Sequence, residues 1–69
     1  MGIEKHIQVT GSSTVSWKDA IVKTVEKASQ TINYITSVKI LEQRAKVSGT
    51  VMTEYYVDLD IAFLIDSNQ

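Results

Sequence analysis

Asp58 and Asp60 stand two residues apart in the segment Tyr55-Tyr56-Val57-Asp58-Leu59-Asp60-Ile61-Ala62-Phe63, so their carboxylates project from one face of an extended strand. Together with Glu42 or Glu54 they could offer oxygen ligands to a hard cation such as Ca²⁺ or Mg²⁺. Acids on the outer face of a sheet also serve simply to keep it solvated, and no spacing here is a metal signature by itself. Symmetry alters that comparison. Where several copies meet at an axis, one acid per chain becomes a ring of acids that needs cations to be tolerated. Tyr56 shares the face of Asp58 and Asp60, where an aromatic ring is out of place in a monomer and points to a ligand or a subunit contact. Trp17 reads instead as a core or interface anchor.

Catalysis finds little to work with. A nucleophile, a base and an orienting group are the minimum for acyl or phosphoryl transfer, yet the chain has no cysteine and one histidine, His6. His6 reads as a solvated strand residue, with pH sensing or metal ligation as the alternative. The glycines Gly2, Gly11 and Gly49 are scattered and form no phosphate-binding loop. A disulfide framework and a Cys/His zinc site are both excluded. The residues describe a binder and not an enzyme.

Seven basic and eight acidic side chains, interspersed, leave a formal charge of −1 and no clustered basic face for a nucleic acid. The longest apolar run, Ile61 to Ile65, is far short of the ~20 residues that span a bilayer. Met1 to Thr10 alternates charge with apolarity and carries no secretory apolar core, so a cytoplasmic protein without membrane or nucleic-acid partners is expected. Sixty-nine residues make a single domain, 1–69, that buries only roughly 60% of its unfolded surface. One such core rarely supplies more than about 3 to 5 kcal/mol. Without disulfides or structural zinc, self-association is the remaining staple.

The elements that must hold these side chains follow from periodicity. Glu4 to Val9 alternates with Ile3, Lys5, Ile7 and Val9 on one side, which predicts a strand ended by the polar cluster Thr10-Gly11-Ser12-Ser13. Ser16 with Asp19 three residues later has the form of a capping box, with Asp replacing the usual Glu or Gln, and predicts a helix from Trp17 to near Tyr34. Its apolar stripe runs through Ala20, Ile21, Val25, Ala28, Ile32 and Ile35. Val38 to Val47 and Met52 to Ile65 read as long strands joined through Ser48-Gly49-Thr50. In the last strand Val57, Leu59, Ile61, Phe63 and Ile65 share the helix-facing side. The preceding strand switches its apolar side near Leu41, which predicts a bend or bulge there. The fold class is therefore α+β, in the order β-α-β-β, with a three-stranded antiparallel sheet wrapped around one helix. The strands outrun the helix, and their surplus edges call for neighbouring subunits.

The stretch Thr10-Gly11-Ser12-Ser13 followed by Ser16-Trp17, the Ile40-Leu41-Glu42-Gln43 segment and the closing Tyr55 to Asp66 strand resemble the dodecin family, over nearly the whole chain. The resemblance implies a hollow twelve-subunit shell, helices outside and sheets inside, holding a flavin such as riboflavin or FMN between subunits. In flavin-binding members a tryptophan at the start of the second strand stacks on the ring and a glutamine on the third strand hydrogen-bonds its edge. Here those positions fall on Ser37 and Tyr56. A serine cannot stack, which removes roughly 1 to 3 kcal/mol of attraction by analogy with stacked bases. Tyr56 either restores part of it or fills the pocket. Gln43 and Arg44 complete the ligand-side positions; Arg44 could reach a phosphate or ring carbonyl, and otherwise serves as a cross-strand partner of Asp58 or Glu54. Some members lacking the tryptophan bind cations, and Glu42, Asp58 and Asp60 are the corresponding metal candidates here. A purely structural assembly is the remaining alternative.

Overall fold

The computed structural model describes residues 2–66. Four elements follow one another, β1 (Gly2–Ser13), α1 (Trp17–Ser29), β2 (Ile35–Ser48) and β3 (Val51–Asp66). The longest strand, β3, takes the centre and pairs antiparallel with both others, giving the order β1-β3-β2. The hairpin between β2 and β3 closes through Gly49, whose φ of 64° lies in the left-handed region that favours glycine.

The period-2 pattern of β3 decides where the core sits. Val57, Leu59 and Ile61 are fully buried and meet Ala20 of α1, while Ile7, Val9, Trp17, Ile21 and Val38 pack around them. Phe63 and Ile65, expected on the same row, lie where the helix has run out, and Ile65 keeps 37% of its surface. α1 packs chiefly against β1 and β3 and leaves the inward side of β2 largely uncovered. Thirteen helical residues span about 20 Å, against about 53 Å for the sixteen of β3. The molecule is accordingly a long, thin plate of 54 × 19 × 12 Å.

α1 begins where the sequence predicts. Ser16 is its N-cap, and its side-chain oxygen accepts from the Asp19 amide at 2.9 Å. The box is not reciprocal: the Asp19 carboxylate accepts from Ser13 Oγ at 2.6 Å and pairs with Lys23 at 3.2 Å. Those partners, Ser13 first, hold Asp19 below the usual carboxylate range.

Two expectations are corrected. Thr10-Gly11-Ser12-Ser13 does not end β1 but continues it, because β3 is long enough to supply backbone partners as far as Tyr55. Gly11 lets the helix approach: a Cβ there would collide with Thr24 Oγ1, which itself donates to Ala20 O at 2.7 Å. The helix stops at Ser29 and not near Tyr34. Thr31, Ile32 and Asn33 are all weak helix formers, and Ile35 is drawn into β2 opposite Phe63. Tyr34 makes the reversal with φ 61°, and its carbonyl accepts from the Leu64 amide at 3.0 Å.

Candidate functional site on the outer face of the sheet

The register shift between Ile40 and Glu42 is the feature that builds the site. Ahead of it Val38 and Ile40 lie opposite the buried Ile61 and Leu59. Beyond it Glu42 and Arg44 lie opposite Asp58 and Tyr56, on the other side of the sheet. One extra residue, Leu41, has moved two charged side chains to the face away from the helix. That face is a ladder of cross-strand rows: Thr10, Asp58 and Glu42; Ser12, Tyr56 and Arg44; Gln8, Asp60 and Lys39; His6, Ala62 and Ser37.

Arg44 and Asp58 form a two-pronged pair, with Nε donating to Oδ2 at 3.3 Å and an Nη to Oδ1 at 3.1 Å. Thr10 Oγ1 adds a third hydrogen bond to Asp58 at 2.7 Å. The Arg44 guanidinium, seconded by the Thr10 hydroxyl, holds the Asp58 carboxyl below its ordinary range. The same guanidinium lies over the Tyr56 ring, 5.3 Å from its centroid. Tyr56 donates its hydroxyl to Glu54 at 2.9 Å, and that bond, with partial burial, raises the phenol above its usual value. Arg44 is positioned from behind as well. Its carbonyl accepts from Trp17 Nε1 at 2.8 Å, and the Trp17 ring meets Tyr55 edge-on with centroids 4.9 Å apart. The residue that opens the helix thus anchors the strand that carries the site.

A second cluster sits farther along the same face. His6 Nδ1 lies 2.7 Å from Asp60 Oδ2 and Nε2 lies 3.4 Å from Glu4 Oε1. Thr36, the extra residue of another register shift, donates to Glu4 Oε2 at 3.1 Å. The bond to Asp60 raises the His6 imidazole above its usual value.

Glu42 and Asp58 share a shallow groove of about 410 Å³, lined also by Gln8, Thr10 and Leu41. Asp60 is one row away and engaged with His6, so the three metal candidates are brought to one face but not to one cage. Among the described residues no three metal-ligating side chains of a single chain converge. Of the ligand-side positions, Arg44 and Tyr56 are in contact. Ser37 lies in the His6 row, and Gln43 shares the Val57 row on the helix side. Two participants have roles that local spacing does not show. Thr10 belongs to the polar cluster expected to end β1, yet it continues the alternation of His6 and Gln8. His6 reads in sequence as a solvated strand residue, because its partner Asp60 lies 54 residues away.

Comparison with known proteins places this geometry. Residues 3–66 match the Dodecin family model. The calcium dodecin of Mycobacterium tuberculosis (strain ATCC 25618 / H37Rv) is 27% identical over 63 residues, 91% of this chain and 89% of that protein. A solved M. tuberculosis calcium dodecin, described as a calcium-chelating antigen with a novel calcium-binding site, is 25% identical. It superposes with a TM-score of 0.81 over 97% of this chain and 96% of that one. The dodecin of Streptomyces davaonensis, 20% identical, has a TM-score of 0.89 over 96% and 97% of the two chains. A T. thermophilus dodecin variant, 19% identical, reaches 0.90 over 97% and 100%; these last two likenesses are of fold alone. The family match takes in all three strands that build the outer face and the helix that backs them, and on it this chain belongs to the dodecin family.

Proposed function

We propose that the chain assembles with copies of itself into a hollow, twelve-subunit shell and binds divalent cations of the calcium class on the faces of its sheets that lie away from the helices. The observation that carries this reading is the row Thr10, Asp58, Glu42. Two carboxylates stand opposite each other there with a single guanidinium to balance them. A shell repeats that unbalanced acid at every subunit, and cations relieve the repulsion. Glu42 and Asp58 supply hard oxygen donors, Thr10 and Gln8 supply neutral ones, and neighbouring copies complete the coordination. The calcium dodecin relative supports this choice of cargo.

Flavin binding is the second reading, favoured by the aromatic face of Tyr56 beside Arg44. It stands behind the first because Tyr56 is already engaged, its ring by Arg44 and its hydroxyl by Glu54, while Ser37 has no ring to stack.

The test combines thermal unfolding with and without millimolar Ca²⁺, flavin fluorescence and light scattering. Calcium at a hundredfold excess over Kd stabilises by about 2.7 kcal/mol. A rise in Tm that disappears in Glu42→Gln, on a particle of about 90 kDa built from twelve 7.7 kDa chains, is the expected outcome. Saturable quenching of FMN fluorescence without any calcium effect overturns the cation reading in favour of flavin. No response to either leaves a purely structural shell.

A further inference from the structure

We infer that the groove between α1 and β1, on the side of the sheet away from the acidic rows, is a separate binding site for a small anionic amphiphile. Such a molecule has an apolar body and a carboxylate or sulfonate head.

The groove follows from how the helix is seated. At Gly11 the missing Cβ allows Thr24 to touch the strand, and this is the tight contact between the two elements. From there toward Ile7 and Ile32 the space is open, about 600 Å³, within the range of roughly 300 to 1,000 Å³ typical of small-molecule sites. Its floor is Ile7, Val9, Ala28 and Ile32, all only half-buried, and the first three continue directly into the core. An apolar body laid there would finish burying surface that the fold itself leaves wet.

The mouth carries the opposite chemistry. Lys23 and Lys27 are one helical turn apart and line the same groove, which gives its rim two basic side chains. Lys23 is shared with Asp19 at 3.2 Å, whereas among the described residues Lys27 has no carboxylate within ion-pair distance. Two cations over an apolar floor select a ligand that is negative at one end and greasy at the other. A bare phosphate fits poorly, since neither an arginine fork nor a helix N-terminus faces the groove. The inference does not rest on the cation reading: none of Glu42, Asp58 or Asp60 lines this groove, although Thr10 and Ser12 border it along β1 and Thr10 also borders the acidic groove.

The probes are 8-anilino-1-naphthalenesulfonate, followed by fluorescence on the purified assembly, and decanoate as its competitor. Expected are saturable binding at one site per chain, displacement by decanoate, and much weaker displacement by decanol, which lacks the charge. Lys27→Glu reverses a rim charge and weakens binding about tenfold. Ala28→Trp fills the floor and abolishes binding, while Lys46→Glu, on β2, changes nothing. Should Ala28→Trp fail to assemble, methyl NMR of the unaltered protein replaces it, with decanoate shifting Ile7 and Ile32. Binding that ignores both Lys27→Glu and Ala28→Trp overturns the inference, as do shifts confined to other methyls. Absence of saturable binding to the folded assembly also overturns it, and would mean that a neighbouring copy covers the free edge of β1.

Discussion

His6 is the residue whose protonation the fold reads most directly. Asp60 from β3 and Glu4 from β1 face its two nitrogens, and Lys39 of β2 lies opposite Asp60 in the register. The imidazolium donates to both carboxylates, so its folded-state affinity for the proton exceeds that of the unfolded chain. The linkage sign follows: the stabilisation is fully present below the unfolded value of about 6.5 and is lost as pH rises through the raised folded value. Thermal melts at pH 5.5 and pH 8.5 should therefore differ by more in the native protein than in His6→Gln. Equal differences in the two proteins would show that the cluster contributes no pH dependence. Asp58 runs the other way. Its depressed value means that the Arg44 pair contributes above the ordinary carboxylate range and fades as pH falls through the lowered value. Two clusters on one face thus carry opposite signs of pH linkage.

At the scale of elements, α1 is the weak partner. A thirteen-residue helix is marginal in isolation, so its stability comes from the seam against β1 and β3 and from its cap. Ser16→Ala removes the acceptor for the Asp19 amide and should cost about 1 kcal/mol in urea unfolding. Because Trp17 anchors the Arg44 carbonyl, fraying at this end also loosens the site strand. A Ser16→Ala protein as stable as the native one would mean that packing of Trp17 on Tyr55 alone secures the helix start. The register shift at Leu41 matters in a different way: without it Glu42 and Arg44 would face the helix side and Gln43 would join the acids.

As a whole, the molecule is too thin to be self-sufficient. The fully buried cluster comprises Ala20, Val57, Leu59 and Ile61, while Ile40, Val47, Val51 and Met52 remain about half exposed or more along the hairpin. Ile40 is the telling case. It lies in the same row as the buried Leu59, but the helix sits over β1 and β3 and leaves it 46% exposed. A monomer gains little from that side chain, whereas a neighbouring copy would bury it. Ile40→Asp should accordingly reduce the particle to smaller species in size-exclusion light scattering while the far-UV dichroism of the chain is retained. An unchanged particle would place the contacts between copies elsewhere.

Much of this was legible in the sequence, for reasons that differ from element to element. The alternation through Tyr55 to Ile65 depends only on the two-residue repeat of a strand, and the row Val57, Leu59, Ile61 is indeed the core. Ser16 acts within three residues of itself, so the helix start was legible too. The switch of apolar side at Leu41 announced a bulge because any register shift exchanges faces. What sequence could not decide was anything set by a distant partner. Thr10 to Ser13 becomes strand because β3 reaches far enough to pair with it, and α1 ends early because Ile35 is claimed by Phe63. The pairing of His6 with Asp60, and the closing of Tyr56 between Arg44 and Glu54, likewise exist only once the strands have met. Local pattern carries no information about where a second strand will stop, and only the tertiary structure supplies that length.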